Sequence, residues 1–409
     1  MNSLLLPKYP YIIPPSAIGI DVHPTVPDDE VPCVSVTLKG YLDATKRDIG
    51  TKLAEWDCFK RYTNPHEYVH TMIPGMRSSV CRRHTISRAF FKLHEILTDH
   101  GILMDAEATP YRSFHLAEGP GGFLEATRSR RQPHENENDQ HVGMTLVDDA
   151  DDAVPGWGKL QSYLARNPTT SVELGESGTG DLLDPANLKS CFTKYGSSMD
   201  LVTGDGGFDF SADYNKQEHQ SLPLLLAQVS FATAIQRHGG TFVIKVFDMF
   251  SRMSVDIAFL LNSLYDEVHI HKPLTSRCAN SERYLVCKGF RVRDAGPYAQ
   301  VFHKLLSEME KNPGCLPTSL FAFPIPRLFL DKLQEINAAF GQQQIENIKT
   351  TLSLIRVPDS DRIEQLRKTA IHRCVTYCQK YDLPHGKQTP THNVFLTKFP
   401  TTVYGEQST

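Results

Sequence analysis

The chain has 409 residues, of which 40% are hydrophobic and 22% charged, with a formal net charge of −4. That is an ordinary globular composition, long enough for one large domain with extensions or for two domains. No stretch approaches the roughly 20 apolar residues that cross a bilayer, and a weakly acidic chain does not hold nucleic acid by bulk charge, so an RNA site would have to be a local basic patch.

The first segment has a short apolar run, but Pro7, Pro10, Pro14 and Pro15 interrupt it and no charged region precedes it, so a secretory signal is not expected. The nine cysteines are odd in number, scattered and free of C-x-x-C pairs, which fits reduced thiols inside a cell. Up to about Pro74 the chain is proline-rich and irregular, with an acidic turn at Asp28, Asp29 and Glu30 and one or two strands expected around Cys33 to Leu42.

From Arg77 the character changes, and helix-period and strand-period segments alternate as in a doubly wound α/β domain. A helix is expected from about Ser87, with Arg88, Lys92 and Glu95 on one face and Ala89, Leu93, Ile96 and Leu97 on the other. Ser113 to Ala117 reads as a short buried strand that runs into Glu118-Gly119-Pro120-Gly121-Gly122, with a helix from Phe123 to Arg131. Further strands are expected at His141 to Asp148, Met199 to Gly204, Gly240 to Phe247, Glu267 to His271 and Glu282 to Gly289. Gln217 to His238 reads as a buried helix and Ser254 to Tyr265 as another. Beyond about Ala295 the pattern is mostly helical, broken at Pro313, Pro317, Pro324 and Pro326. The expected division is an N-terminal extension over residues 1–76, a catalytic domain over 77–295 and a helical C-terminal extension over 296–409.

Two sets of residues point to chemistry. A strand that ends in closely spaced glycines lets the backbone approach a ligand at the carboxyl edge of an open sheet, where such folds bind ligands. The same turn is equally compatible with a tight connection, and it lacks the G-x-G-x-x-G spacing of a dinucleotide site. The second set is Lys92 in SRAFFKLHEI, Asp205 in LVTGDGGFD, Lys245 in FVIKVFD and Glu282 in ANSERYLVCKGF. Lys92 and Glu282 on their own read as surface charges, and Asp205 as a turn residue. Lys245 does not, because it lies inside an apolar strand where an unpaired ammonium is costly.

Taken together, these segments resemble the Lys-Asp-Lys-Glu motifs of the FtsJ-like ribose 2′-O-methyltransferases, in the family's order, over about Arg82 to Arg293. HKPLTSRCANSERYLVCKGF and GDGGFDFSADYNKQE are most similar to the members that act on mRNA caps in cells and large DNA viruses. The resemblance implies a Rossmann-like α/β fold with a mostly parallel sheet and one antiparallel strand, S-adenosyl-L-methionine as cofactor, and capped RNA as substrate. It also implies Lys92, Asp205, Lys245 and Glu282 as catalytic residues, and a cofactor site drawn from Glu118, Gly119, Pro120, Gly121, Gly122, Phe123, Asp148, Asp181 and Asp205. Glu118 stands where the family commonly has Asp, and the interval between the glycine turn and Asp205 is long. For Asp148 and Asp181 a helix-cap or turn role is equally compatible with the sequence.

A ribose hydroxyl is a poor nucleophile and a sulfonium methyl is already activated, so the protein's task is to orient and deprotonate the hydroxyl. Lys245 is the expected agent, either as a base or as a group that steers the oxygen lone pair. Arg82, Arg83 and Arg88, with Arg77 beside them, form a basic cluster suited to RNA phosphates, and Arg128, Arg130 and Arg131 form a second. His372, Cys374, Cys378 and His385 suggest zinc, but their spacing falls in a helical pattern and helix packing is the preferred reading, so no metal is expected. Other capping or transcription proteins are conceivable partners, and a nucleus or a cytoplasmic viral factory or virion is the expected place of work. The rival readings are methylation of an rRNA or tRNA ribose and a silent RNA-binding scaffold.

Overall fold

The computed structural model describes residues 2–24, 33–103, 110–147, 156–158, 160–207 and 214–386. In chain order its first elements are β1 (Ser3–Leu5), β2 (His23–Pro24), α1 (Val36–Gly50), α2 (Leu53–Thr63) and α3 (Ala89–Asp99). The α/β alternation follows, with β3 (Arg112–Leu116), α4 (Gly122–Arg131), β4 (Gln140–Met144), α5 (Gln161–Leu164), β5 (Thr170–Val172), α6 (Pro185–Tyr195) and β6 (Met199–Gly204). It continues through α7 (Gln217–Ile235), β7 (Gln236–Phe247), α8 (Arg252–Leu264), β8 (Tyr265–His271) and β9 (Glu282–Phe290). The chain closes with α9 (Gly296–Lys311), β10 (Cys315–Leu316), α10 (Arg327–Arg356) and α11 (Ser360–Lys380).

These elements divide into two compact units. The first comprises residues 1–40, 85–273 and 281–340, and the second 41–84, 274–280 and 341–409.

The first unit is built on an eight-stranded sheet in the order β1-β8-β9-β7-β6-β3-β4-β5. Strand β3 pairs in parallel with β4 and β6, and β6 in parallel with β7. The central strands are buried on both faces, as parallel strands under two helix layers must be. Ser113, Phe114, His115 and Leu116 of β3 are all fully shielded from solvent. The antiparallel strand expected from the sequence is β9, which runs against both β7 and β8. A second one was not expected. Ser3 to Leu5 pairs antiparallel with β8, so the chain's first residues cover the edge of the sheet.

Helix α7 is buried along nearly its whole length, as its all-round apolar sequence requires, and it passes directly into β7 at Gln236, earlier than the strand expected from Gly240. The register places Leu116 opposite Met144 and Gly204, and Gly204 opposite Ile244, so the carboxyl ends of β3, β4, β6 and β7 line one edge.

One expectation fails outright. The strands anticipated around Cys33 to Leu42 are replaced by α1, whose buried residues Leu42, Thr45, Lys46 and Ile49 recur at three and four positions rather than two.

The second unit is helical. Within it Trp56, Tyr68, Ile348, Cys374, Tyr377 and Cys378 are buried. Arg277 donates two hydrogen bonds to the Glu67 carboxylate, at 3.1 and 2.8 Å, and Asn64 adds a third at 2.6 Å. Burial works against the charge on Glu67, yet the Arg277 fork and Asn64 hold its carboxyl down at about 2. Cys374 and Cys378 are internal residues of α11, where they pack rather than face solvent. No described helix is long and apolar enough to cross a membrane.

Candidate active site

The four residues singled out in the sequence come together at the carboxyl edge of the sheet in the first unit. Lys92 reaches from the first turn of α3, Asp205 follows the last residue of β6, Lys245 lies near the end of β7, and Glu282 opens β9. Antiparallel pairing sets Lys245 opposite Tyr284 and Phe247 opposite Glu282, so all four of these side chains share the face that α3 covers.

They form two ion pairs. Lys92 Nζ donates to Glu282 Oε2 at 2.8 Å with both side chains only 8% exposed. Lys245 Nζ lies 3.2 Å from Asp205 Oδ1 and donates to the Asp205 backbone carbonyl at 2.7 Å. Burial opposes ionisation of Glu282, but Lys92 and then Lys245 outweigh it and hold the carboxyl well below the usual range. The Lys245 ammonium also sits 5.6 Å over the Phe247 ring. Gly207 leaves room for it, since a Cβ there would stand 3.0 Å from Nζ.

Tyr284 escaped the sequence reading. Its hydroxyl donates at 2.7 Å to Asp205 Oδ1, the same oxygen that the lysine approaches, and so adds a second restraint on the carboxylate. The available signal was strand period, because Tyr284 lies two residues after Glu282 and therefore on the same face. Burial, reinforced by the Asp205 charge, raises its phenol well above the ordinary value, so it stays a donor.

The glycine turn lies next to this constellation. Gly121 has φ of 115°, in the left-handed region that favours glycine, and caps α4. Gly122 is required for a different reason, since a Cβ there would lie 2.2 Å from Ser87 Oγ and 3.1 Å from the Phe90 amide, where α4 meets the start of α3. Close approach in this turn therefore serves helix packing as well as any ligand. Glu118 is buried at 4% exposure, and its Oε1 accepts from the Leu124 amide at 2.8 Å. Burial pushes its carboxyl well upward, the Leu124 bond opposes this, and the Asp205 charge adds to it. Gly119, Pro120 and Phe123 complete the turn, with Phe123 in the core.

Asp181 accepts from the Leu183 amide at 2.9 Å, a turn role, and also lines a cavity of about 740 Å³ with Ser177, Thr179, Asp184 and His219. The helix cap next to it is Asp184, which accepts from Ala186 at the start of α6. Asp148 lies outside the described residues, as does the stretch from Phe208 to Asp213.

Arg88 is exposed and caps α3 in the first unit, whereas Arg82 and Arg83 belong to the second unit, exposed and half-buried respectively. The second basic cluster needs correction. Arg131 is fully buried in an ion pair with Asp139 at 2.8 Å, and Arg128 grips Glu135 at 2.7 and 2.9 Å. Arg131 holds its carboxylate in fork geometry through Nε and Nη2, and Arg128 reaches both Glu135 oxygens through Nη2 alone, so both guanidinium groups are already engaged with carboxylates of the chain.

Residues 85–290, half of the chain, match the family model of the FtsJ-like methyltransferase. The chain belongs to the FtsJ-like methyltransferase family. Among curated relatives it is 29% identical over 376 residues to cap-specific mRNA (nucleoside-2′-O-)-methyltransferase 2 of Pongo abelii, covering 85% of this chain and 45% of that protein. It is 36% identical over 249 residues to cap-specific mRNA (nucleoside-2′-O-)-methyltransferase 1A of Caenorhabditis briggsae, covering 56% of this chain and 27% of that one. A protein named as the inactive 1B form from the same nematode is also 36% identical, over 248 residues. The chain thus spans less than half the length of these relatives. Among solved structures, a ribosomal RNA methyltransferase from Plasmodium falciparum aligns with a TM-score of 0.36 at 20% identity, over 51% of this chain and 99% of that one.

Proposed function

We propose that this protein transfers a methyl group from S-adenosyl-L-methionine to the ribose 2′-hydroxyl of a nucleotide next to an mRNA cap. The observation that carries the reading is the pair of buried lysine–carboxylate contacts, Lys92–Glu282 and Lys245–Asp205, gathered beside a glycine turn at the carboxyl edge of the sheet. Similarity alone does not separate an enzyme from a silent homologue, because relatives named active and inactive match equally well. Four charged side chains held largely out of water are costly to maintain unless they act, and that favours the active reading.

The residues fit the cofactor. Gly121 and Gly122 bring a helix N-terminus to the edge, and the Glu118 carboxyl, with its pKa raised by burial, would release its proton to solvent and ionise when a cation binds beside it. Glu118, Gly119, Pro120, Gly121, Gly122, Phe123, Asp148, Asp181 and Asp205 are the proposed contacts. Once bound, the cofactor supplies a sulfonium methyl that needs only an aligned nucleophile.

Lys245 supplies that alignment. An ammonium has three N–H donors; one goes to the Asp205 carbonyl while the charge pairs with Asp205 Oδ1, which leaves donor capacity for a ribose oxygen. Donation of that kind positions the hydroxyl lone pair in line with the methyl. With the cofactor bound, its methyl would pass to that oxygen as the C–S bond breaks, and the hydroxyl proton would leave to solvent. Lys92 and Glu282 form the neighbouring buried ion pair, near enough for the Lys245 charge to act on Glu282. Arg82, Arg83 and Arg88 are the proposed phosphate contacts, and the flanking parts of the chain, 1–76 and 296–409, are proposed to help hold RNA or a capping partner. A capped mRNA substrate places the reaction inside a cell.

The test is methyl transfer to short RNAs that differ only in the 5′ cap, with the product located by mass spectrometry. Capped RNA should be strongly preferred and the methyl should sit on the ribose of the first or second nucleotide. Equal use of uncapped RNA would point to rRNA or tRNA instead.

A further inference from the structure

Behind the tetrad, in the same unit, α3 and β8 bring together a second group of ionisable side chains. Glu95 follows Lys92 by one helical turn and is fully buried, His271 ends β8 and is fully buried, and Asp99 lies one turn further on, open to solvent. One ligand atom from each of the three lies within 4.8 Å of the others. Their residue types are those of a mixed nitrogen and oxygen metal site.

The spacing is informative. Glu95 Oε1 and His271 Nε2 are 3.7 Å apart, beyond hydrogen-bond reach. Two ligand atoms each about 2.0–2.2 Å from one tetrahedral ion stand about 3.3–3.6 Å apart, so this pair needs only a small contraction, and Asp99, within 4.8 Å of both, must close further through its exposed side chain. The other ring nitrogen of His271 is 3.1 Å from His100 Nε2, the outer contact that orients a ligating imidazole. His100 is itself set edge-on against His269 and His271, at 4.9 and 5.2 Å between ring centres.

We infer that Glu95, Asp99 and His271 form a binding site for a divalent transition-metal ion of the zinc type, with His100 as its outer support. An imidazole ligand disfavours magnesium and calcium, and two carboxylates balance the charge of a +2 ion. Three protein ligands leave the fourth position to water on the solvent side, where Asp99 gives access. Lys288, whose ammonium is engaged by the His100 carbonyl at 3.1 Å, is the nearby cation that works against affinity, and Glu267 approaches from the His269 side at 3.5 Å. An ion here would tie the helix that carries Lys92 to the strand whose His271 lies opposite Tyr284.

The measurement is titration of the tag-free, metal-stripped full chain with Zn²⁺ and with Co²⁺, followed by calorimetry and by the visible spectrum of the cobalt form. One equivalent should bind, and the cobalt spectrum should lack thiolate charge-transfer bands. Glu95→Gln and His271→Asn should each weaken binding by about tenfold or more, and His100→Gln by about tenfold. Asp99→Asn, on the exposed rim, should do the same without disturbing the fold, which keeps the test decisive if a buried variant fails to fold. No binding would overturn the site. So would binding indifferent to Asp99→Asn and His271→Asn, or one that shows thiolate bands.

Discussion

Lys245 donates to the Asp205 backbone carbonyl and pairs with Asp205 Oδ1, the same oxygen to which Tyr284 donates, so Asp205 is the residue on which the geometry of the site turns. On the proposed mechanism, in which Lys245 acts on the hydroxyl, Lys245→Ala should abolish methyl transfer while cofactor affinity stays nearly unchanged. Turnover comparable to wild type would remove it from the mechanism. Tyr284→Phe should act more gently. One hydrogen bond to a charged group is worth about 1.5–3 kcal/mol, but the lysine still holds Asp205, so kcat should fall several-fold with KM for cofactor steady. Glu118 makes a third residue-level case. Its carboxyl titrates at higher pH than an ordinary one, and a bound cation favours its ionised form, so cofactor binding should release protons and strengthen as pH rises through that raised value. Calorimetry in buffers of different ionisation enthalpy would measure the release, and its persistence in Glu118→Gln would assign it elsewhere.

At the scale of elements, the strand, turn and helix unit around Gly121 was legible because glycine spacing and apolar runs are local properties. Lys245 announced itself in the same way, as a charge in an apolar strand. Helix α1 was not legible, since Val34, Val36 and Leu42 among prolines and polar residues suit a short strand as well as a helix. Burial of Leu42, Thr45 and Ile49 decided the matter. The β1 strand was missed because three residues have no usable period, and Glu95, Asp99 and His271 were missed as a group because α3 and β8 lie far apart in sequence. Gly122 shows how element packing constrains the cofactor turn. Gly122→Ala should lower the thermal midpoint and weaken cofactor binding together, because its methyl meets both Ser87 and the Phe90 amide. Unchanged stability would mean that α3 and α4 have room to separate.

At the scale of the molecule, a net charge of −4 and the commitment of Arg128 and Arg131 to carboxylates of the chain leave few cations for phosphate, so RNA binding through the proposed Arg82, Arg83 and Arg88 contacts should weaken only modestly with salt, with log K falling against log salt at a slope of about −2. Between about pH 6.5 and 5 buried histidines lower stability and the raised Glu118 carboxyl opposes them, and at lower pH the depressed carboxyls of Glu67 and Glu282 add to the loss. In the first unit Ser113 links His115 and His141 at 2.9 and 2.7 Å, and Thr203 completes the chain at 2.8 Å. Burial lowers both rings, His141 to about 4 and His115 well below its ordinary value. In the second unit burial, with Arg373, lowers His66 to about 4. The folded pKa is depressed in each case, so above about pH 6.5 neither state binds the proton and stability is full. Below that value the unfolded chain takes up protons that the folded one refuses, and stability falls until the folded pKa is reached. For His141 alone the drop from 6.5 to about 4 is worth on the order of 3 kcal/mol. The urea midpoint should therefore decline steadily between about pH 6.5 and pH 5, and His141→Gln should flatten part of that decline. A midpoint indifferent to pH over this range would mean that these imidazoles are protonated in the folded protein, and that the sheet accommodates charge at its centre.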